Sequence, residues 1–484
     1  MRETGKSGVF GKFSSAFFAS LALLIPGSSV VAGPQLVAPF RVYAWQAPKA
    51  QTQNTTTTVR YSPRSDPAAI ARSLAALPRG QRVLLFQDHN FQMLSNSKDK
   101  VRTPSGQTLN HHGIWPETGT RELAAANARV FNAIRDQGVQ INGLVMDVEH
   151  NWTNWSMSRD RLAAIQQDPR FAAISRDLGF SDLSRVANWR DPQNEFHFRR
   201  WNSMMNMRLD GYLRQAFTDP IRAAHPRALV SNYNDFNFNT ADELRDLNGY
   251  HPFGEYTLIG SHASPALYGR VGNLRSVTLP NNATPNWLSP ITQIGMSMNV
   301  TRAHQRISTT DQIPWIAPRS WTGDRRNTIP WANSDYYQEM VFQNLLSSGQ
   351  TNVLFWNTLA TPQDEQILDR TLGELRIMLG GELPLAPVLT EPVDLLASDL
   401  VSAVALADGL IVGRVTFGQF SRNASFMIGD QEITVTRSGN QLGQWFSVFM
   451  DPTSRGFASL IPEPSSAALT LAGLVGLLGR LRRN

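Results

Sequence analysis

The chain of 484 residues has no cysteine at all. That excludes a disulfide framework, thiolate-bound metal and thiol catalysis. It also lacks a GxxxxGK[ST] phosphate loop, an HExxH helix and a Gly-rich dinucleotide turn after its first strand-like run, so no nucleotide or zincin chemistry has its usual anchor. No internal repeat of fixed period is present. Charge is sparse, at 17% of residues, yet 42% are apolar and 9% aromatic, a balance that argues against wholesale disorder. The net charge of +6 is concentrated at the ends: Arg2, Lys6 and Lys12 against Glu3 in residues 1–32, and Arg480, Arg482 and Arg483 against Glu463 in residues 461–484. Setting both ends aside leaves 39 basic and 37 acidic residues. Between the ends there is no charge excess of the kind a nucleic-acid partner requires.

The two ends carry addresses. The basic stretch is followed by FSSAFFASLALLIPG and then by Val30-Val31-Ala32, the order of a cleavable signal peptide over residues 1–32. At the other end Pro462-Glu463-Pro464 precedes SSAALTLAGLVGLLG and the arginine cluster. A run of this length is marginal as a permanent span and is oriented with its arginines inward. Residues 461–484 resemble the PEP-CTERM sorting signal: the Pro-Glu-Pro triplet, an apolar helix and terminal arginines, in that order. The N-terminal order implies cleavage by signal peptidase, and the resemblance implies processing by an exosortase-type membrane transpeptidase. It also implies a cell-surface or extracellular-matrix destination, with membrane contact through residues 465–479.

Between the ends, short apolar runs alternate with helical stretches. FRVYAW (40–45), RVLLFQDHN (82–90), NGLVMDVEHN (142–151), ALVSNYNDF (228–236), YTLIGSHAS (256–264), PWIAPRSW (314–321) and TNVLFWNT (351–358) read as buried strands. IGMSMNV (294–300) offers an eighth. The Asn54-Thr55-Thr56-Thr57-Thr58 stretch reads as a polar loop. Helices are expected over 67–77, 120–137, 196–217 and 335–348, and in LDRTLGELRIMLGG after the last strand. Strand and helix alternating over residues 38–384 predict an α/β fold, a (β/α)8 barrel, with a doubly wound open sheet as the alternative. Past Pro384, Pro387 and Pro392 the pattern switches to period two. Residues 386–460 are expected to form a small antiparallel β domain, separable from the barrel, that supports it or binds polysaccharide.

In a barrel of this kind chemistry sits at the C-terminal ends of the strands. The sharpest candidate is MDVEHNW: Asp147 and Glu149 are two apart, so on a strand they share a face. Carboxylates that close repel, which raises one pKa and suits it to protonating a glycosidic oxygen. Asp88 and His89, Asn232, Tyr233 and Asp235, Arg319 and Trp321, Trp152 and Trp356 lie at or near other expected strand ends, and aromatic faces are natural platforms for sugar rings. The bland alternatives stay open: Asp147 and Glu149 capping a helix and pairing with Arg159 or Arg319, and Trp152 with Trp155 as core. His111-His112 on a loop is weak as a metal pair, so neither metal nor cofactor is expected.

MDVEHNW with VLFWNT downstream resembles the barrel glycosidases of N-acetylhexosamine polymers, the chitinases and hyaluronidases. The resemblance implies Glu149 as general acid and Asp147 as its partner, orienting the acetamido group. It further implies Trp356 as the floor of the sugar site and Tyr233 as a hydrogen-bond donor. The longer acidic run of chitinases is absent, since Gly143 to Met146 precede Asp147. The place of a second carboxylate late in the seventh strand holds Arg319, Ser320 and Trp321, which points to substrate assistance, or to inversion with Asp88 or Asp235 as base. The expected function is an exported glycoside hydrolase acting on a polysaccharide. The alternative is a non-catalytic surface protein whose barrel binds exopolysaccharide.

Overall fold

A computed structural model describes residues 41–46, 49–50, 55–77, 83–87, 97–112, 115, 117–146, 159–179, 182–188, 191–194, 196–197, 200–201, 208, 211–234, 262–267, 289–307, 313–319, 334–350, 352–357, 360–379, 386–406, 409–449 and 458–460. Both ends, and with them the expected signal and sorting segments, lie outside this set. Among the described residues no helix is long and apolar enough to cross a membrane.

The fold is mixed α/β. Strands β1 (Arg41–Ala44), β2 (Thr55–Thr57) and β3 (Val59–Arg60) come first, then helix α1 (Pro67–Ala75) and β4 (Val83–Gln87). A hairpin of β5 (Lys100–Arg102) and β6 (Thr108–His112) leads to α2 (Glu117–Asp136) and β7 (Ile141–Met146). After α3 (Arg159–Gln167), α4 (Pro169–Leu178) and α5 (Asp219–Ala224) come β8 (Leu229–Asn234) and β9 (His262–Leu267). Then follow α6 (Pro290–Ile307), β10 (Trp315–Ile316), α7 (Ser334–Ser348), β11 (Asn352–Phe355) and α8 (Pro362–Met378). The strands assemble in the order β2–β1–β11–β10–β9–β8–β7–β4–β3, with every pairing parallel. The strands at the two ends of that order, β2 and β3, are separated along the chain by Thr58 alone. Thr58 is buried and donates both its N–H (3.2 Å) and its Oγ1 hydroxyl (2.9 Å) to the Ala44 carbonyl.

The near-continuous apolar runs follow from burial on both faces of the sheet. Leu84 and Phe86 of β4 share one cluster with Val145 of β7, Tyr43 and Trp315. Their neighbours Val83, Leu85, Leu144 and Met146 pack instead with Leu123, Val130, Phe131 and Ile134 of α2. At β4 and β7 the first set marks one face of the sheet, termed inner below, and the second the face that α2 covers. Gly143 lies on the inner register with Val145. A Cβ there would meet Leu84 Cδ1 at 2.6 Å, so this glycine makes room for Leu84.

Helix ends are set locally. Asp66 caps α1, accepting from the Ala68 N–H at 3.0 Å, with Pro67 as first residue. Thr361 and Asp364 form a reciprocal capping box on α8. The start of α2 is capped from a distance by buried Asp99, which accepts from the N–H groups of Thr118 (3.2 Å) and Gly119 (2.7 Å). A π-helical turn, Arg214–Thr218, precedes α5, and Asn127 of α2 donates to its Ala216 carbonyl at 2.7 Å.

Strands β12 (Ala386–Pro387), β13 (Leu400–Ala405), β14 (Leu410–Thr416), β17 (Gly443–Phe449) and β18 (Ala458–Leu460) form an antiparallel sheet in the order β12–β13–β14–β17–β18. The intervening strands β15 (Asn423–Ile428) and β16 (Gln431–Thr436) pair as a hairpin. Leu400, Val404, Val412 and Trp445 belong to the same apolar cluster as Met340, Phe342 and Leu346 of α7.

Three expectations are corrected. Residues 294–300 lie within helix α6, which is buried from Ile291 to Asn299 and so shows no amphipathic stripe. The threonine run is the β2–β3 segment, because β-branched residues suit an extended backbone even when polar. His111 and His112 lie on β6 and not on a loop. The expected helix 196–217 is met where it is described: Phe196, His197, Arg200, Trp201, Arg208 and Gly211 to Leu213 are α-helical, and the π turn follows.

Candidate active site

At the C-terminal ends of the strands the inner face is lined by aromatics. Trp45 directly follows β1, and its ring lies 4.0 Å from that of Phe86, edge-on, 5.4 Å from Trp315 and 6.5 Å from Trp356. Phe86 and Trp315 are fully buried, whereas Trp45 and Trp356 are only half-buried. Arg60, the last residue of β3, is exposed and lays its guanidinium over Trp45, 4.4 Å from the ring centre, and 6.0 Å from that of Phe86. Edge-to-face rings and a cation over an indole are each favourable by about 0.5–1.5 kcal/mol.

The loop after β1 is clamped to the far end of β11. Asn357 accepts from the Gln46 N–H at 2.7 Å and donates to the Gln46 carbonyl at 3.0 Å. Lys49 Nζ donates to the Ala360 carbonyl (2.5 Å), and the Ala50 N–H donates to buried Glu365 of α8 (2.5 Å). Trp356 therefore sits between two fixed segments. Its N–H donates to Ile316 of β10 at 3.1 Å.

Arg319, three residues beyond β10, donates from Nε to Asp364 Oδ1 at 3.1 Å. The other Asp364 oxygen accepts from the Thr361 N–H and hydroxyl. Asp364 is fully buried, so Arg319 ties the end of β10 to the start of α8 and neutralises a buried charge there. Burial, with that carboxylate adding to it, pushes the Tyr337 phenol well up, and its hydroxyl donates to the Ala317 carbonyl at 3.1 Å.

The remaining predicted site residues divide in two. Asn232 and Tyr233 lie on β8; Asn232 pairs with Met146 on one side and Ala263 on the other, and Tyr233 pairs with Ser264. Asp147, Glu149, Trp152, Asp88, His89, Asp235 and Trp321 lie outside the described residues. The strand expected at 256–264 is described as β9 from His262 to Leu267, so His262 begins it. Sequence reasoning identified Trp356 but passed over Trp45 and Arg60. The signal for both was present: Trp45 closes the first apolar run, and Arg60 ends a β-branched TTTTVR stretch. Among the described residues no group of three or more His, Asp or Glu side chains could hold a metal ion.

No family model matches the chain, and no curated protein matches it. Among the solved structures similar to it are glycoside hydrolases. A GH27 β-L-arabinopyranosidase from Geobacillus stearothermophilus aligns over 78% of this chain and 75% of its own, at 9% identity and a TM-score of 0.38. A modular endo-β-1,4-mannanase from Cellulomonas fimi, of glycoside hydrolase family 26, covers 87% and 93% at 10% identity and a TM-score of 0.33. An endo-β1,6-glucanase covers 84% and 82% at 8% identity and a TM-score of 0.31. Likeness of this degree assigns no activity.

Proposed function

We propose that the chain is an exported glycoside hydrolase acting on a polysaccharide, with Glu149 as general acid and Asp147 as its helper. In this reading the parallel sheet closes as a (β/α)8 barrel, since β2 and β3 are one extended segment broken only at Thr58 and each pairs with a different neighbour. The observation that carries the reading is the register of β7. Val145 pairs with Phe86 and with Ser231, and lies on the inner face with Leu84 and Phe86. Asp147 and Glu149, which lie outside the described residues, follow β7 in sequence two and four residues after Val145, the spacing expected of residues that share its face, and barrel enzymes keep their chemistry at these strand ends. Tyr233 lies on β8, two residues beyond Ser231.

A carboxylic acid next to a second carboxylate and among aromatic rings keeps its proton to a higher pH, as protonation of a leaving oxygen requires. From Trp315 to Arg319 there is no carboxylate, and Arg319 is engaged by Asp364. This favours substrate assistance by an acetamido group, or inversion with Asp88 or Asp235 as base, over double displacement. The signal-like start and the PEP-CTERM-like tail support export and retention at the cell surface or in its matrix, after cleavage by signal peptidase and an exosortase-type transpeptidase. The purified chain should release reducing ends from an amino-sugar or neutral polysaccharide. Binding without release, unchanged in Glu149→Gln, would assign it instead to the non-catalytic class of polysaccharide-binding surface proteins.

A further inference from the structure

Phe420 stands in solvent on a turn that the chain holds from two sides. Its ring is 90% exposed, more than any other large apolar side chain among the described residues. The turn Gly418–Ser421 follows β14 and closes with the Ser421 N–H on the Gly418 carbonyl at 3.2 Å. Asp399, just ahead of β13, accepts from the Gly418 N–H at 2.9 Å and from the Ser421 hydroxyl at 2.7 Å. Arg437, directly after β16, donates to the carbonyls of Gly418 (3.2 Å) and Ser421 (3.4 Å) and to that of Gln441 (2.7 Å) in its own turn. Gly418 sits so close to Ser398 that a Cβ would overlap the Ser398 carbonyl. The backbone beneath Phe420 is therefore fixed, and a ring shown from fixed backbone loses little freedom on binding.

The packing of the sheet settles which way this turn faces. Helix α6 links β9 to β10 and α7 links β10 to β11, all parallel neighbours, so both helices run against the strands and begin where the strands end. Leu400, the first residue of β13, lies over Gly295 in the first half of α6, and Thr416, the last of β14, bonds Glu339 in the first half of α7. Farther along β13, Ser402 meets Ser347 near the end of α7. Strand β14 thus climbs toward the helix starts, and the turn beyond it opens on the side of the strands' C-terminal ends, the side of the candidate site. The surroundings of the ring select its partner. Gln419, Arg422 and Asn423 are exposed next to it in sequence, as is Gln441 in the facing turn. The exposed apolar residues of the strands, Met427 and Phe449, lie toward the opposite strand ends. A protein interface or a lipid surface calls for a wider apolar patch. A sugar ring calls for one flat apolar face with hydrogen-bonding groups at its edge.

Resting on the reading of the chain as acting on a polysaccharide, we infer that Phe420 is a sugar-stacking platform, a remote subsite that holds the polysaccharide chain outside the cleft on the side where the strands end. The antiparallel sheet then contributes to substrate binding as well as to the core.

The test measures binding of the full chain, carrying Glu149→Gln to stop turnover, to suspensions of chitin, cellulose and mannan. On the polymer that binds best, Phe420→Ala should weaken binding roughly 10-fold, the effect of uncovering one aromatic face. Phe420→Leu should lose as much, because it keeps the apolar surface without the plane, and Phe420→Trp should bind as tightly as the parent or tighter. Unchanged binding in Phe420→Ala, or full binding in Phe420→Leu, overturns the inference. So does a Phe420-dependent association with phosphatidylglycerol–phosphatidylcholine vesicles, or a Phe420-dependent dimer in sedimentation velocity, when polymer binding is unaffected by the substitution. Binding to none of the three polymers overturns it as well, and release of reducing ends by the wild-type chain would show the hydrolase reading surviving alone. Phe420-dependent binding without any release would do the reverse, sustaining the subsite and ending the hydrolase reading. A melting curve for each variant separates these results from misfolding.

Discussion

Arg414 of β14 and Glu339 of α7 face each other across the junction between the antiparallel sheet and the helices, with Arg414 Nε 3.0 and 2.9 Å from the two carboxylate oxygens. Both side chains are buried. Thr416 donates its hydroxyl to the same carboxylate at 2.6 Å, and Phe342 and Trp445 flank the guanidinium at 4.4 and 5.0 Å. Glu374 of α8 lies 3.6 Å from Arg414 and accepts from the Trp445 indole N–H at 2.8 Å. Gly443 passes so close to Glu339 that any Cβ would collide with the carboxylate. The charges are compensated only while the sheet stays docked.

Arg414→Met should therefore destabilise the fold by about 3–5 kcal/mol, because it strands Glu339 uncompensated in the core. The double variant Arg414→Met/Glu339→Met should recover most of that loss, since a buried pair is replaceable by well-packed apolar groups. Urea unfolding measures both. A double variant no more stable than Arg414→Met would mean that specific geometry, and not charge compensation, holds the junction.

Truncation after residue 385 follows from the same junction. Removing β13, β14 and β17 exposes the apolar face of α7 and leaves Gln343 without the Thr416 and Leu400 oxygens that its amide meets. The truncated chain is expected to be insoluble or to lose its cooperative unfolding transition. Sequence alone leads to the opposite expectation, since the proline-marked boundary reads as a linker to a separable unit. A soluble, cooperatively folded 1–385 fragment would bear out the separable reading.

Acid should weaken the fold through two groups of the same sign. Asp168 is held below the ordinary carboxylate value: burial alone would raise it, but the Arg170 side chain, the N–H groups of Arg102 and Arg170 and the arginine's charge together outweigh burial. Its contribution is present above the unfolded value and lost as pH falls through the folded one. His225 is pushed down mainly by burial, against the raising effect of the Phe131 carbonyl that its Nε2 meets at 3.1 Å. It keeps its neutral form to lower pH in the fold than in the unfolded chain, which takes up a proton below about pH 6.5, so stability again falls with pH. His225→Asn should flatten the stability profile between about pH 7 and 5, and Asp168→Asn should flatten it below about pH 4. Slopes identical to wild type in both windows would remove these groups from the account.

The strands that sequence revealed are those whose inner and outer faces are both apolar, such as Val83–Gln87 and Asn352–Phe355. Such a segment needs no tertiary information to be recognised. Thr55–Arg60 was missed because its inner face is polar: Thr58 bonds back to Ala44, and the Arg60 guanidinium lies over Trp45. Residues 294–300 misled for the converse reason. Helix α6 is enclosed on every side, with Leu395 and Leu400 closing over Gly295, so it lacks the stripe that distinguishes a helix from a buried strand. Trp356 was legible as an aromatic at a strand end. The Arg60–Trp45 stack joins the ends of two strands, and no local pattern encodes it.

Gly143 tests whether β7 has the register on which the site depends. A methyl group at this position would sit 2.6 Å from Leu84 Cδ1 and 3.3 Å from the Leu229 carbonyl. Gly143→Ala should cost about 1–3 kcal/mol, the usual penalty of overpacking. Pairing it with Leu84→Ala should give less than the sum of the two losses, because the new methyl fills part of the space that Leu84 vacates. Additive losses would place the two side chains on different faces of the sheet and undo the inner register of Val145.

Glu149→Gln and Asp147→Asn separate the two carboxylates by role. Glutamine keeps the shape of Glu149 but has no acidic proton for the leaving oxygen, so turnover should fall by roughly 10²–10⁴-fold with glycan binding retained. Asparagine at 147 can still hydrogen-bond the substrate or its neighbour, so the loss should be smaller and should fall mainly on the pH profile. Removing the neighbouring negative charge lowers the Glu149 pKa, which moves the alkaline limb of activity to lower pH. Activity on a substrate with a good leaving group, which needs little proton assistance, should suffer far less in Glu149→Gln. Equal losses on good and poor leaving groups would exclude Glu149 as the acid while leaving it free to act elsewhere in the site. An unshifted alkaline limb in Asp147→Asn would mean that the two carboxylates do not share a field.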